Sequence, residues 1–191
     1  MKSLKCHATT TLRQIRRAGP CESGWTMLVR GLGVDYHTAK FNEEPISLLR
    51  IMEINGLQDA VWALGTFPEL GIDKRKFAIA CVDNMPVKVT IPKCVEALEA
   101  ARLYVAGRLS DSALEDASLD AAHAMECARF NPTWIPSFAA RWTAWHNPAH
   151  AACMASHYAA NAHRDFVIGL ANQAEIFAEL FGNRKDGDDG R

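Results

Sequence analysis

The chain reads as an all-α protein, a cluster of short helices followed by an alanine-rich bundle of long ones. Three observations predict this. Alanines of the C-terminal half recur at helical spacing: Ala113, Ala117, Ala121, Ala124 and Ala128, then Ala144, Ala151, Ala155, Ala159 and Ala162. Apolar residues elsewhere follow the i, i+3, i+4, i+7 rule, as at Leu57, Ala60, Val61 and Leu64. Cap and stop residues separate these periodic stretches. A stripe of methyl groups lets two helices approach to about 8 Å, the short end of the interaxial range. The stripes therefore predict close helix packing and, by themselves, no chemistry.

The elements follow in order. Residues 1–9 read as a loose basic arm. Thr10 or Thr11 caps a short helix to Ala18, which Gly19-Pro20 stops. A second helix runs from about Glu22 to Leu32 and turns Trp25, Leu28 and Val29 inward. Residues 33–43 read as loop. Pro45 is expected in the first turn of a helix that buries Leu48, Leu49 and Met52 and ends at Asn55-Gly56. The Leu57 helix closes at Pro68. Asp73 caps a helix carrying Phe77, Cys81 and Met85. Val87, Val89 and Ile91 alternate like a strand, but prolines bracket them and no partner strand is evident, so the segment reads as extended linker.

Beyond Pro92, Cys94, Leu98, Ala101 and Val105 form one face, ended by Gly107. Ser110 or Ser112 starts the next helix, to about Arg129. Asn131-Pro132 and Pro136 break it. A shorter helix holds Phe138, Trp142 and Trp145. Pro148 opens the last and longest helix, expected to run to Phe181 with His163, Val167, Leu170, Ala174 and Phe177 on its later face. The expected organisation is a short-helix region over 1–86, a helical bundle over 92–182 and a polar, disordered tail over 183–191.

Composition limits the function classes. The chain has 191 residues and a net charge of −1, so no global field draws it to nucleic acid or membrane. No apolar run approaches the length of a membrane span, and no signal peptide is evident. The six cysteines include no CxxC pair and read as reduced thiols of a cytoplasmic protein. The basic residues Lys2, Lys5, Arg13, Arg16 and Arg17 offer at most salt-sensitive, non-specific contact with nucleic acid.

Several constellations carry possible chemistry. His150, Cys153 and His157 lie at i, i+3 and i+7, share a helix face and belong to the zinc-ligand types, with Asp165 the nearest carboxylate. The same residues also suit hydrogen bonding across a bundle, and neither a metal nor a cofactor is assigned. Cys21, in GPCESG at a helix start, is a weak nucleophile candidate; His7 and His37 both read as loop residues, and nothing in the sequence brings either to it as a base. Asp111, Glu115, Asp116 and Asp120 form an acidic ridge with no matching basic face on its own helix, either a solvated face or a surface for a basic partner. Trp134, Trp142 and Trp145 crowd around proline breaks, where they either close the bundle end or anchor a protein partner. Trp25 and Trp62 read as core.

The stretches LRQIRRAGPCESGWTMLVRGLG and EPISLLRIMEINGLQDAVWAL resemble the head of a family of uncharacterised phage and prophage accessory proteins. Its marks here are Cys21, Gly24, Trp25, Asn55, Gly56, Asp59 and Trp62. CVEALEAARLYVAGRLSDSALEDASLDAAHA resembles the segment that joins this head to an alanine-rich helical C-terminus. The prolines at 132, 136 and 148 depart from that pattern. The resemblance implies no catalytic residue. It implies the context of a small phage protein that binds and blocks a host defence complex, as anti-CRISPR proteins do. The expected function is therefore non-enzymatic inhibition of such a complex in the cytoplasm of a bacterial host. The alternatives are a metal-dependent enzyme built on His150, Cys153 and His157, or an immunity protein that neutralises a toxin.

Overall fold

The computed structural model describes residues 9–127, 134–163 and 165–182, except for the side chain of Trp134. The described residues contain ten α-helices, three single-turn 3-10 helices and one two-stranded antiparallel ladder, so the all-α expectation holds. The basic arm before Thr9, the helix end at Ala128 and Arg129, the Asn131-Pro132 break and the tail after Gly182 lie outside the described residues.

The chain forms two compact units. The first contains residues up to Phe67 together with the segment from Phe177 onward. Thr9–Thr10 (β1) pairs with Ile46–Ser47 (β2), Thr10 opposite Ile46. Helix α1, Leu12–Arg17, begins with a capping box: Thr11 Oγ1 accepts from the Gln14 amide at 3.1 Å, and Gln14 Oε1 accepts from the Thr11 amide at 3.0 Å. Helix α2, Glu22–Gly31, buries Trp25, Leu28 and Val29 as its spacing requires.

Helix α3 covers Leu48–Asn55, so Pro45 is not in its first turn. Proline has no amide to give a ladder and suits a strand start; Ile46 then pairs with Thr10, and the hydroxyl of Ser47 caps the helix instead. As a result Ile51 is buried, whereas Leu49 and Met52 are only half-buried. Gly56, at φ 86°, lets the chain turn between α3 and α4 (Leu57–Ala63). Leu57, Ala60, Val61 and Leu64 are all buried. Trp62 is 38 % exposed and is not core.

The second unit spans Pro68–Ile176. It holds α5 (Gly71–Asp83), α6 (Pro92–Val105), α7 (Asp111–Cys127), α8 (Trp134–Thr143), α9 (Pro148–Asn161) and the first part of α10 (Phe166–Phe181). The extended stretch before Pro92 thus lies inside this unit, between α5 and α6. Helix α9 packs on α5 and α8, and α6 packs on α7 and α8. The alanine stripe of α9 faces the interior: Ala151, Ala155 and Ala159 are completely buried, as are Ala152 and Ala160 beside them. On α7 the buried line is Leu114, Ser118, Ala121 and Met125; Ala113, Ala117 and Ala124 flank it. Ser110 caps α7 through the Ala113 amide, at 3.3 Å.

The expected single helix from Pro148 to Phe181 is two helices. Helix α9 ends at Asn161, and α10 restarts at Phe166 with Asp165 Oδ1 accepting from the Val167 amide at 2.8 Å. An aspartate that can take an exposed amide makes a helix start. The break re-aims the later face: Val167 is 70 % exposed, while Gln173, Phe177 and Phe181 are buried. Gln173 clasps α9, accepting from the Ser156 hydroxyl at 2.5 Å and donating to the Ser156 carbonyl at 3.0 Å.

Candidate functional site

Helix α7 separates its two faces cleanly. Burial of Leu114, Ser118, Ala121 and Met125 leaves Asp111, Glu115, Asp116 and Asp120 exposed around the rest of the helix. The ridge is therefore a real surface feature. It is partly neutralised by the next helix, since Lys93 of α6 lies 3.2 Å from Asp120 and 2.8 Å from Glu96. At the other end, the Tyr104 hydroxyl donates to Asp111, and this bond raises the phenol above its ordinary pKa. Glu115 and Asp116 stand between these two compensated ends. Leu119, 57 % exposed, sits among the carboxylates. Sequence reasoning passed over Leu119; its place off the buried i, i+4, i+7 line was the available signal.

The aromatic cluster forms at the junction of α8 and α9. Phe138, Arg141, Trp142 and Trp145 follow i, i+3, i+4, i+7 and so share one side of α8 and its following turn. Trp142 meets Trp145 edge-on at 4.9 Å, and the imidazole of His150 stacks on Trp142 at 4.9 Å with the planes 6° apart. Phe138 reaches Tyr158 of α9 at 4.5 Å. The Arg141 guanidinium lies over all three rings, 5.6 Å from Phe138, 4.9 Å from Trp142 and 5.5 Å from Trp145. Trp142 is buried, Trp145 is half-buried, and the Trp134 side chain lies outside the described residues.

The histidine group does not assemble. His150 and His157 are exposed, and each lies against an aromatic neighbour, Trp142 and Tyr158 respectively. Cys153 is half-buried, and burial raises its thiol pKa. Asp165 serves as the α10 cap. Among the described residues no three His, Cys, Asp or Glu side chains converge in a metal-binding arrangement.

The head residues do converge. Cys21 caps α2, its sulfur accepting from the Gly24 amide at 3.4 Å with the Ser23 hydroxyl at the same distance. These bonds, Ser23 first, lower the thiol pKa. Asn55 donates to the Gly24 carbonyl at 2.8 Å and to Asp59 Oδ2 at 2.7 Å. A Cβ at Gly24 would stand 2.8 Å from Asp59 Oδ2 and 3.2 Å from the Cys21 sulfur, so a side chain there would have to displace the Asp59 carboxylate. Cys21, Gly24, Asn55 and Asp59 form a latch between α2 and the α3–α4 corner. No described histidine is among the polar contacts of the Cys21 thiol, so a base for nucleophilic catalysis is not supplied there.

The chain matches no protein-family model, no curated protein and no solved structure. No described helix is long and apolar enough to cross a membrane.

Proposed function

We propose that the chain is a non-enzymatic binding protein that inhibits its partner by covering a basic, nucleic-acid-handling surface. The observation that carries this reading is the exposed α7 face, where Glu115, Asp116 and Leu119 stand together between the compensated ends of the acidic ridge. Carboxylates steer a basic partner by long-range attraction. An apolar side chain among them adds burial once the surfaces meet. The resemblance of the head and joining segment to phage accessory proteins narrows the partner to a host defence complex, with anti-CRISPR activity as the concrete form.

Capture of partners from a host lysate by the full chain tests this. The expected catch is a nucleic-acid-binding defence complex whose affinity falls with salt and falls further in a Glu115→Lys/Asp116→Lys double variant of unchanged circular dichroism. Salt-independent binding that ignores the reversal would remove α7 from the interface. Capture of a secreted or delivered toxin instead would favour the immunity reading, which uses the same charge logic.

A further inference from the structure

Helix α2 leaves one large apolar side chain outside the core. Trp25, Leu28 and Val29 are buried, whereas Met27 is 52 % exposed. Met27 lines a groove of about 820 Å³, with Thr26, Arg30 and Gly31 beside it on α2 and Ile54 of α3. The groove depends on Gly31. A Cβ there would stand 2.3 Å from Cγ2 of Ile54, so a side chain at this position would displace Ile54. Met27 and the half-buried Ile54 supply the apolar lining. Methionine is unbranched and polarizable, and it adapts its shape to whatever covers it.

The charges along the groove are unevenly compensated. Glu22, in the first turn of α2, is held by the Tyr36 hydroxyl and by Arg16 at 3.3 Å, and these bonds lower its carboxyl pKa. Arg30, in the last turn of the same helix, is exposed and has no ion pair among the described residues. Arg50 brings a second guanidinium to that end. It reaches the Gly31 carbonyl at 3.4 Å and shares its charge with Glu53 at 2.8 Å. The groove is thus apolar at Met27 and Ile54 and cationic at Arg30.

We propose that this groove takes an acidic amphipathic helix of a partner protein. An apolar side chain of that helix covers Met27 and Ile54, and a carboxylate one turn away pairs with Arg30. The spacing fits: Met27 and Arg30 are separated by about 4.5 Å of helix rise, the rise between an i, i+3 pair on a facing helix. Helices seated in grooves are read through anchors of this kind. The unpaired guanidinium selects an acidic segment and repels a basic one. The groove lies within the first unit, and the proposal does not depend on the reading of α7.

The test is selection of a displayed library of random peptides on the full chain, followed by titration of the enriched peptides by fluorescence anisotropy. The expected enrichment is an acidic residue three or four positions from an apolar one. Arg30→Glu should weaken such a peptide about tenfold or more, and Met27→Glu should weaken it likewise. Both side chains are exposed, so both variants should keep the circular dichroism of the wild type; Arg30→Glu decides the matter if Met27→Glu does not. Three results would overturn the proposal: no enrichment, enrichment of basic peptides alone, or acidic peptides that bind a folded Arg30→Glu variant as well as the wild type. A wild type that dimerises in sedimentation, and a Met27→Glu variant that does not, would overturn it in favour of a second copy of this chain.

Discussion

The Arg75 guanidinium of α5 donates to the Trp145 carbonyl at 2.9 Å, and its other terminal nitrogen donates to the Thr143 carbonyl. The last carbonyls of a helix have no partner within it, and they mark the negative end of its dipole. Arg75 meets both demands for α8 from a neighbouring helix. The Tyr104 ring, 5.1 Å from the guanidinium carbon, covers it on another side. One buried cation thereby fixes where α8 stops and where the Trp145 turn begins.

Arg75→Met should therefore destabilise the protein by about 2–4 kcal/mol, since it leaves buried carbonyls without a donor. Urea denaturation measures the change. A loss below about 0.5 kcal/mol, the usual range of a surface substitution, would mean that water replaces the guanidinium at no cost.

The alanine stripes should resist enlargement. Ala155 and Ala121 are completely buried on α9 and α7. Replacing either with leucine overpacks the helix contact and should cost about 1–3 kcal/mol. Ala113 is half-buried on the flank of α7, so Ala113→Leu should shift the denaturation midpoint less than Ala121→Leu.

Cysteine reactivity should follow environment. Cys21 is exposed and its thiol pKa is lowered by bonds from Ser23 and Gly24, whereas Cys81 and Cys94 are buried with thiol pKa values pushed up. Alkylation with iodoacetamide at pH 8, read by peptide mapping, should modify Cys21 in the native protein and reach Cys81 and Cys94 only on unfolding. Ser23→Ala should slow the Cys21 reaction, because the larger of its thiolate-stabilising bonds is gone.

Stability should decline in alkali through the buried thiols. Burial pushes the Cys94 thiol up to about 11 from an ordinary value of 9.0. Between those values the unfolded chain loses its proton and the folded chain keeps it, so stability falls as pH rises. It is fully retained below pH 9. Cys94→Ala should flatten this slope relative to the wild type in denaturation series from pH 8 to 11. An identical slope would mean that the thiol titrates normally in the folded protein.

Periodicity and capping chemistry revealed most of the helices, because both act within a few residues. A cap at Thr10 or Thr11, the inward triad of α2 and the Leu57 face were all legible on that basis. The Pro45 expectation failed because Ile46 pairs with Thr10, a contact between segments 36 positions apart. The single final helix failed because Asp165 was read as a metal-side carboxylate when its local role is a cap. The acidic ridge of α7 was visible in the sequence, but its partial neutralisation by Lys93 is tertiary.

The division at Phe67 and Phe177 has a consequence for the order in which the molecule is made. The first unit contains residues from both sides of the second, and fully buried Phe177 belongs to it. A ribosome must therefore translate all of α5 to α9 before the final piece of the first unit exists. The interior of the first unit, Phe177 included, can therefore be completed only after the whole second unit has been synthesised.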